Sequence, residues 1–243
     1  MQSGSSWVLW QLIDSAFPSG GFAHSGGLEA ASQYGLTPTY TQLSGAVTTA
    51  VQQVASQSLP IMHQVHTNPE SVWEADHFLD CSLTNNVANK ASRSQGEALL
   101  SSAIDCFPTD SETSQCAYLS QMKAEGRARR RHNARNKNEP NQPVYFHFAV
   151  IFAAVCRELK IPVDDMCDAF LFISLRGLTG AAVRLGLIGP IQAQRLQFQL
   201  TPATSAMSSH YIAQRLQDSA STDPILDLVH SNHDSLFFKL FIS

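Results

Sequence analysis

Thr41–Leu59 reads TQLSGAVTTAVQQVASQSL, with apolar residues at Leu43, Val47, Val51 and Val54 and with Ala46 and Ala50 beside them. Spacings of three and four place those side chains on one stripe of a helix. The same period continues outward. Val72, Ala75, Leu79 and Leu83 repeat it, and Val87, Ala91, Ala98 and Leu99 extend it. Phe148–Leu159 is too uniformly apolar for a surface helix. Pro162 then opens another helix, with Asp164 and Asp165 in a first turn that favours carboxylates. Met166–Leu175 follows as a second buried helix. Gly186, Gly189 and Pro190 stop one helix and start Ile191–Leu200. Thr201-Pro202 and Asp223-Pro224 mark two more boundaries, ahead of Ser205–Leu216 and Ile225–Val229. Sustained polar–apolar alternation is nearly absent, and no Asn-Gly or Asp-Gly hairpin turn occurs. The expectation is an all-α protein, one globular domain over residues 1–243, with roughly eight to ten helices of ordinary length.

Composition narrows the classes. The 243 residues are 44% hydrophobic and 15% charged, against about 25% charged in an average soluble domain. So apolar a chain is not intrinsically disordered, and so sparsely charged a surface suits broad partner contacts. The net charge of -4 is unevenly spread. Seven of the 16 basic residues lie from Lys123 to Lys137, where Glu125 is the sole acid; that stretch carries +6 and the remainder -10. With Pro140-Asn141-Gln142-Pro143 behind it, residues 123–143 read as a long exposed basic loop or a helix with a frayed end. Met1–Ser6 carries no basic residue leading into an apolar run, so no signal peptide is expected. The longest apolar stretch, Phe146–Cys156, is shorter than the about 20 residues a membrane span needs. Five cysteines, at 81, 106, 116, 156 and 167, are odd in number and lack CxxC spacing, which fits free, mostly buried thiols in a reducing compartment. A cytoplasmic protein without membrane association is expected.

The conspicuous irregular segment is Phe17–Gly27, FPSGGFAHSGG. It lacks the GxxxxGK[ST] pattern and no lysine follows it, so a nucleoside triphosphate is not expected there. Around Ser25 it resembles a nucleophile elbow without the first glycine or the preceding strand, so no catalytic residue is assigned. Its simplest role is a tight loop ahead of a helix at Leu28. His63 and His66, near Asp76 and His77, and again His230 and His233, have the i, i+3 spacing that shares a helix face. No cysteine or carboxylate lies at a recognised ligand interval from either pair, so no metal ligand is assigned. Arg127–Arg131, with Arg135 and Lys137, could bind phosphates, and a helical nucleic-acid-binding protein acting through 127–137 is the alternative reading. Aromatic residues for base stacking are missing within the stretch; Tyr118 and Tyr145 lie outside it.

Leu12–Glu29, LIDSAFPSGGFAHSGGLE, closely resembles the N-terminal signature of the UreF family of urease accessory proteins, in the form seen in its eukaryotic branch. Ala91–Gly96, ASRSQG, is similar to the family's second motif. Val183-Arg184-Leu185-Gly186, followed by Gly189, Gln192 and Gln194, resembles its late helix junction. His233–Ser243, HDSLFFKLFIS, resembles its terminus, with Lys239 at the family's arginine and His233-Asp234 at its His-Glu. Lysine lacks the bidentate fork of arginine. The resemblance covers most of the chain in the right order.

The resemblance implies an all-α, dimerising protein without catalysis of its own. It would bridge a UreD/UreH-type scaffold to the GTPase UreG so that nickel reaches apo-urease. No cofactor would be held firmly: nickel is handled by the complex and GTP by the partner. Homodimerisation within the complex is implied, and neither nucleic acid nor membrane is. Phe22, His24, Ser25 and Glu29 would shape the N-terminal contact or the dimer cavity. Arg93 and Gly96 would support the central helix junction, with pairing of Arg93 to Glu97 or a helix end as the purely structural reading. Lys239, Phe241 and the rest of a tail at 233–243 would gain their order on a partner.

Overall fold

A helix whose every face is apolar has to lie at the centre of a protein, and Phe148–Glu158 (α7) does. Eight consecutive residues of it, Ala149 to Cys156, are buried. The computed structural model describes residues 3–107, 117–136 and 143–243, and those residues contain ten α-helices and no strand. In chain order the others are α1 (Ser3–Ile13), α2 (Leu28–Gln33), α3 (Tyr40–Thr67), α4 (Val72–Ser82), α5 (Asn86–Cys106), α6 (Ala117–Arg135), α8 (Val163–Arg184), α9 (Pro190–Tyr211) and α10 (Pro224–Ser231). The central α7 is packed between α3 and α5, with α8, α4 and α6 also against it. Behind α3 lie α8 and α9, which pack extensively on each other. The all-α expectation holds.

Side-chain caps set several boundaries. Thr39 accepts from Gln42 N ahead of α3, Asn85 from Val87 N and Ala88 N ahead of α5, and Asp223 from Ile225 N and Leu226 N ahead of α10. Two prolines fail to end helices where the sequence suggests they should. α3 runs past Pro60 to Thr67 because Leu59, Ile61, Met62 and Val65 are all buried in the core. α9 runs through Pro202, so the boundary expected at Thr201-Pro202 is absent. Proline there removes the hydrogen bond to the Phe198 carbonyl. Phe198 and Pro202 both face solvent, where water can serve that carbonyl, while Ala193, Leu196, Ser208 and Tyr211 anchor the helix on either side.

Of the two readings of 123–143, an exposed loop or a helix with a frayed end, the described part is helix: α6 runs as far as Arg135, and residues 137–142 lie outside the described residues. Leu119, Met122 and Gly126 bury one side, and a helix can carry its basic residues on the other. Lys137 lies outside the described residues. Thiol burial is mixed: Cys156 and Cys167 are buried, Cys81 and Cys106 are exposed, and Cys116 is outside the described residues. Burial pushes the Cys156 thiol up strongly and the Cys167 thiol up to about 12. Val163–Arg184 is long and apolar enough to cross a membrane by length and composition, yet 56% of its apolar window is buried inside the fold.

Candidate functional site

The Gly-rich loop and the tail, over 200 residues apart in sequence, are built against each other. Gly26 and Gly27 have φ of 62° and 87°, a left-handed backbone that favours glycine. A side chain on Gly27 would also crowd His230, whose Cβ lies 3.0 Å from where one would start. That turn launches α2 and buries Glu29, which is 2% exposed. The Glu29 carboxylate then accepts three hydrogen bonds: from Leu240 N at 2.6 Å, Phe241 N at 3.1 Å and His233 Nε2 at 2.9 Å. A buried carboxylate is stable only when its lone pairs are met this way. Upstream, Ser25 N and Ser25 Oγ donate to the Ser243 carbonyl, at 2.6 and 3.0 Å, and Ile242 N donates to the Ala23 carbonyl. His24 Nδ1 shares a 2.6 Å hydrogen bond with Ser243 Oγ.

These bonds correct the expectation that the tail is ordered only on a partner: the chain holds residues 233–243 itself. Ser25, Glu29 and Phe241 are all buried, so in this chain they hold the loop and the tail together and present no exposed side chain. The Ser25 hydroxyl is engaged by the tail backbone. Along the tail, side chains alternate. Phe241 and Ser243 point inward, while Leu240 and Ile242 point outward and are 62% and 72% exposed. Phe237 and Phe238, at 90% and 75%, continue the outward face. Lys239 is exposed and donates from Nζ to the Asp234 carbonyl.

Arg184, from the end of α8, joins loop and tail. Its guanidinium lies 3.8 Å from the centroid of the Phe22 ring and 4.1 Å from that of Phe241, and Nη1 donates to the Phe22 carbonyl. Cation–π contacts of this kind contribute about 0.5–2 kcal/mol each. Burial pulls the Arg184 pKa down from its ordinary value. Phe22 itself is 71% exposed, adjacent to the outward face of the tail.

Arg93 and Gly96 belong to a second construction, the corner at 145–147. Phe146 has φ 63°, an uncommon backbone for a bulky residue. Asp76, 1% exposed, holds that corner by accepting from Tyr145 N, Phe146 N and His147 N at 2.6, 3.1 and 2.8 Å. A side chain on Gly96 would run into the Phe146 carbonyl, and one on Gly126 into the Phe146 ring. Arg93 lies 5.1 Å above the Tyr145 ring. It does not pair with Glu97, whose ion-pair partner is Arg130. Gly96 is buried and so supports the junction instead of touching a partner directly. His147 is completely buried between Asp80 and Ser92, at 3.2 and 3.1 Å, and burial lowers its pKa. Sequence reasoning grouped Asp76 with possible metal donors; nothing local marks it as the clasp of a backbone corner.

A cavity of about 610 Å³ opens beside the Gly-rich loop. Its wall includes Phe148, Phe152, Phe170, Gln53 and His230. Gln53 Oε1 and His230 Nε2 are buried there without a hydrogen-bond partner. Burial, then the neighbouring His233, pull the His230 pKa down to about 4, and His24 is lowered for the same two reasons. Among the described residues no three His, Cys, Asp or Glu side chains come together as a metal site. His66 is bonded through Nε2 to the Ile161 carbonyl at 2.8 Å.

Comparison with known proteins places this architecture. The family model described as UreF matches residues 39–201. Urease accessory protein F of Arabidopsis thaliana is 33% identical over 239 residues, covering 98% of this chain and 92% of that protein. The protein of the same name from Oryza sativa subsp. indica is 32% identical over 243 residues, covering 99% and 86%. Urease accessory protein UreF of Bacillus sp. (strain TB-90) is 24% identical over 241 residues, covering 97% of each chain. An all-α chain that matches the family over two-thirds of its length, and its plant relatives from end to end, belongs to the UreF family of urease accessory proteins, which assist an enzyme and are not enzymes themselves.

Proposed function

We propose that this protein is a non-catalytic adaptor in urease maturation, bridging a UreD/UreH-type scaffold to a UreG-type GTPase. In this reading it acts in the cytoplasm as a homodimer within the complex. Nickel passes to apo-urease as cargo of the assembly, and GTP is bound by the partner. The observation that carries the reading is the outward face of the tail. Phe237, Phe238, Leu240 and Ile242 stand exposed beside Phe22 on a backbone fixed by Glu29 and Ser25. Contiguous exposed apolar side chains on a rigid support mark an interaction surface. Because the chain has already ordered the tail, a partner gains the apolar burial without the entropy of folding it. Lys239 supplies a charge at the rim of that face.

Co-expression with the two partners, followed by light scattering on a sizing column, tests it. The expected product contains two copies of each component. Phe237→Ser with Phe238→Ser, or removal of residues 237–243, should lower complex recovery at least tenfold. Unchanged recovery in both variants, or a lone monomer in every mixture, would reject the assignment.

A further inference from the structure

The six basic residues of α6 divide into two groups once the helix is folded. Arg129 and Arg130 turn toward the protein. Arg129 binds Glu125 and lies 5.1 Å over the Trp73 ring. Arg130 donates to the Val144 and Tyr145 carbonyls, pairs with Glu97 and lies 4.7 Å over the Phe146 ring. Lys123 donates to Ser101 Oγ. These contacts clamp the helix along one side. Arg127, Arg131 and Arg135 are left on the other side, exposed, and none takes part in an ion pair among the described residues.

The three follow one another at i, i+4 and i+8, so their Cα atoms rise by about 6 Å per step along one flank of the helix. Ser120, Ala124, Ala128 and Ala134, all small and exposed, surround them. Like charges at i, i+4 oppose each other by a few tenths of a kcal/mol. This chain has acids enough to neutralise them, because its remainder carries -10, yet none of the acids among the described residues pairs with them. Guanidinium forks match carboxylates bidentately, and a bed of alanines lets another helix approach closely.

We propose that this flank of α6 is a docking surface for an acidic protein helix, one presenting glutamates or aspartates at intervals of three or four residues. A nucleic acid fits it less well. The stripe is only about 12 Å long, by the rise per residue. Outside 123–137 the chain carries -10 overall, so a longer phosphate chain would gain no further net attraction from it. Aromatic side chains for base stacking are not at hand: Tyr145 is occupied by Arg93 and His77, and Tyr118 donates to the Pro69 carbonyl. The proposal does not depend on the tail face or on the adaptor reading.

Fluorescence anisotropy on the full chain at about 50 mM salt tests it with three labelled probes. One is an alanine-based helical peptide with Glu at every fourth residue, the second the same peptide with Gln in its place, and the third a 20-nucleotide single-stranded RNA. The Glu peptide should bind at least tenfold more tightly than either other probe. Arg127→Gln, Arg131→Gln and Arg135→Gln together should lose at least tenfold of that affinity with unchanged circular dichroism, since the replaced side chains support nothing in the fold. Restoring charge as Lys at all three positions should recover part of it. Failure of the Glu peptide to bind, equal binding of the Gln peptide, or tighter binding of RNA would overturn the proposal.

Discussion

At the residue scale, Gly96 shows how one position can carry a fold without any sign of it in its neighbours. A glycine inside a helix ordinarily costs about 1 kcal/mol relative to alanine, so replacement would be expected to stabilise. Here the added carbon would strike the Phe146 carbonyl at a corner already held in the left-handed region. Gly96→Ala should therefore destabilise the protein by about 3 kcal/mol or more, because backbone on both sides has no room to shift. Urea unfolding measures this; a midpoint equal to or above that of the unaltered protein would contradict the packing described. The Ala91–Gly96 motif is visible in the sequence, but its physical content is not. The atoms that require Gly96 belong to a residue 50 positions later, and the three amides that Asp76 binds lie 69 to 71 positions away.

At the scale of elements, the tail behaves as a segment clipped to α2. Glu29→Gln keeps the shape of the side chain but removes the charge that three donors share. The expected result is local: faster amide exchange at Leu240 and Phe241 and faster tryptic cleavage after Lys239, with the α3–α9 core little changed. Equal protection of the tail in both proteins would contradict the Glu29 clasp. The same element governs acid sensitivity. His230 is buried on α10, facing His24, His233 and Asp227, and it is neutral in the folded state because its pKa has fallen to about 4. In the unfolded chain it takes up a proton near pH 6.5. Between those values the unfolded state binds more protons, so stability falls as pH is lowered from about 6.5 toward 4. The difference is worth about 3 kcal/mol for His230, with His24 and His147 acting in the same direction. Scanning calorimetry across that range should show a falling midpoint, and His230→Gln should flatten it; a profile insensitive to the substitution would count against the buried neutral imidazole.

At the scale of the whole molecule, sequence and structure divide by how far apart the interacting residues lie. Apolar period alone determined that the chain is all-α, because a stripe repeating every three to four residues is buried the same way whatever the helix packs against. The order of motifs from Leu12 to Ser243 likewise pointed to the UreF family before any packing was known. Tertiary structure decided the rest. It carried α9 through Pro202, because anchors on both sides of that residue outweigh one lost hydrogen bond, and α6 through the basic stretch, because Arg129 and Arg130 find partners on other helices. It also turned the tail from a loose end into an ordered surface. A carboxylate such as Glu29 reveals its role only when amides 211 and 212 residues further on arrive beside it. Hydrogen bonds and close packing act over a few ångströms in space, and only the folded chain brings such distant residues that near.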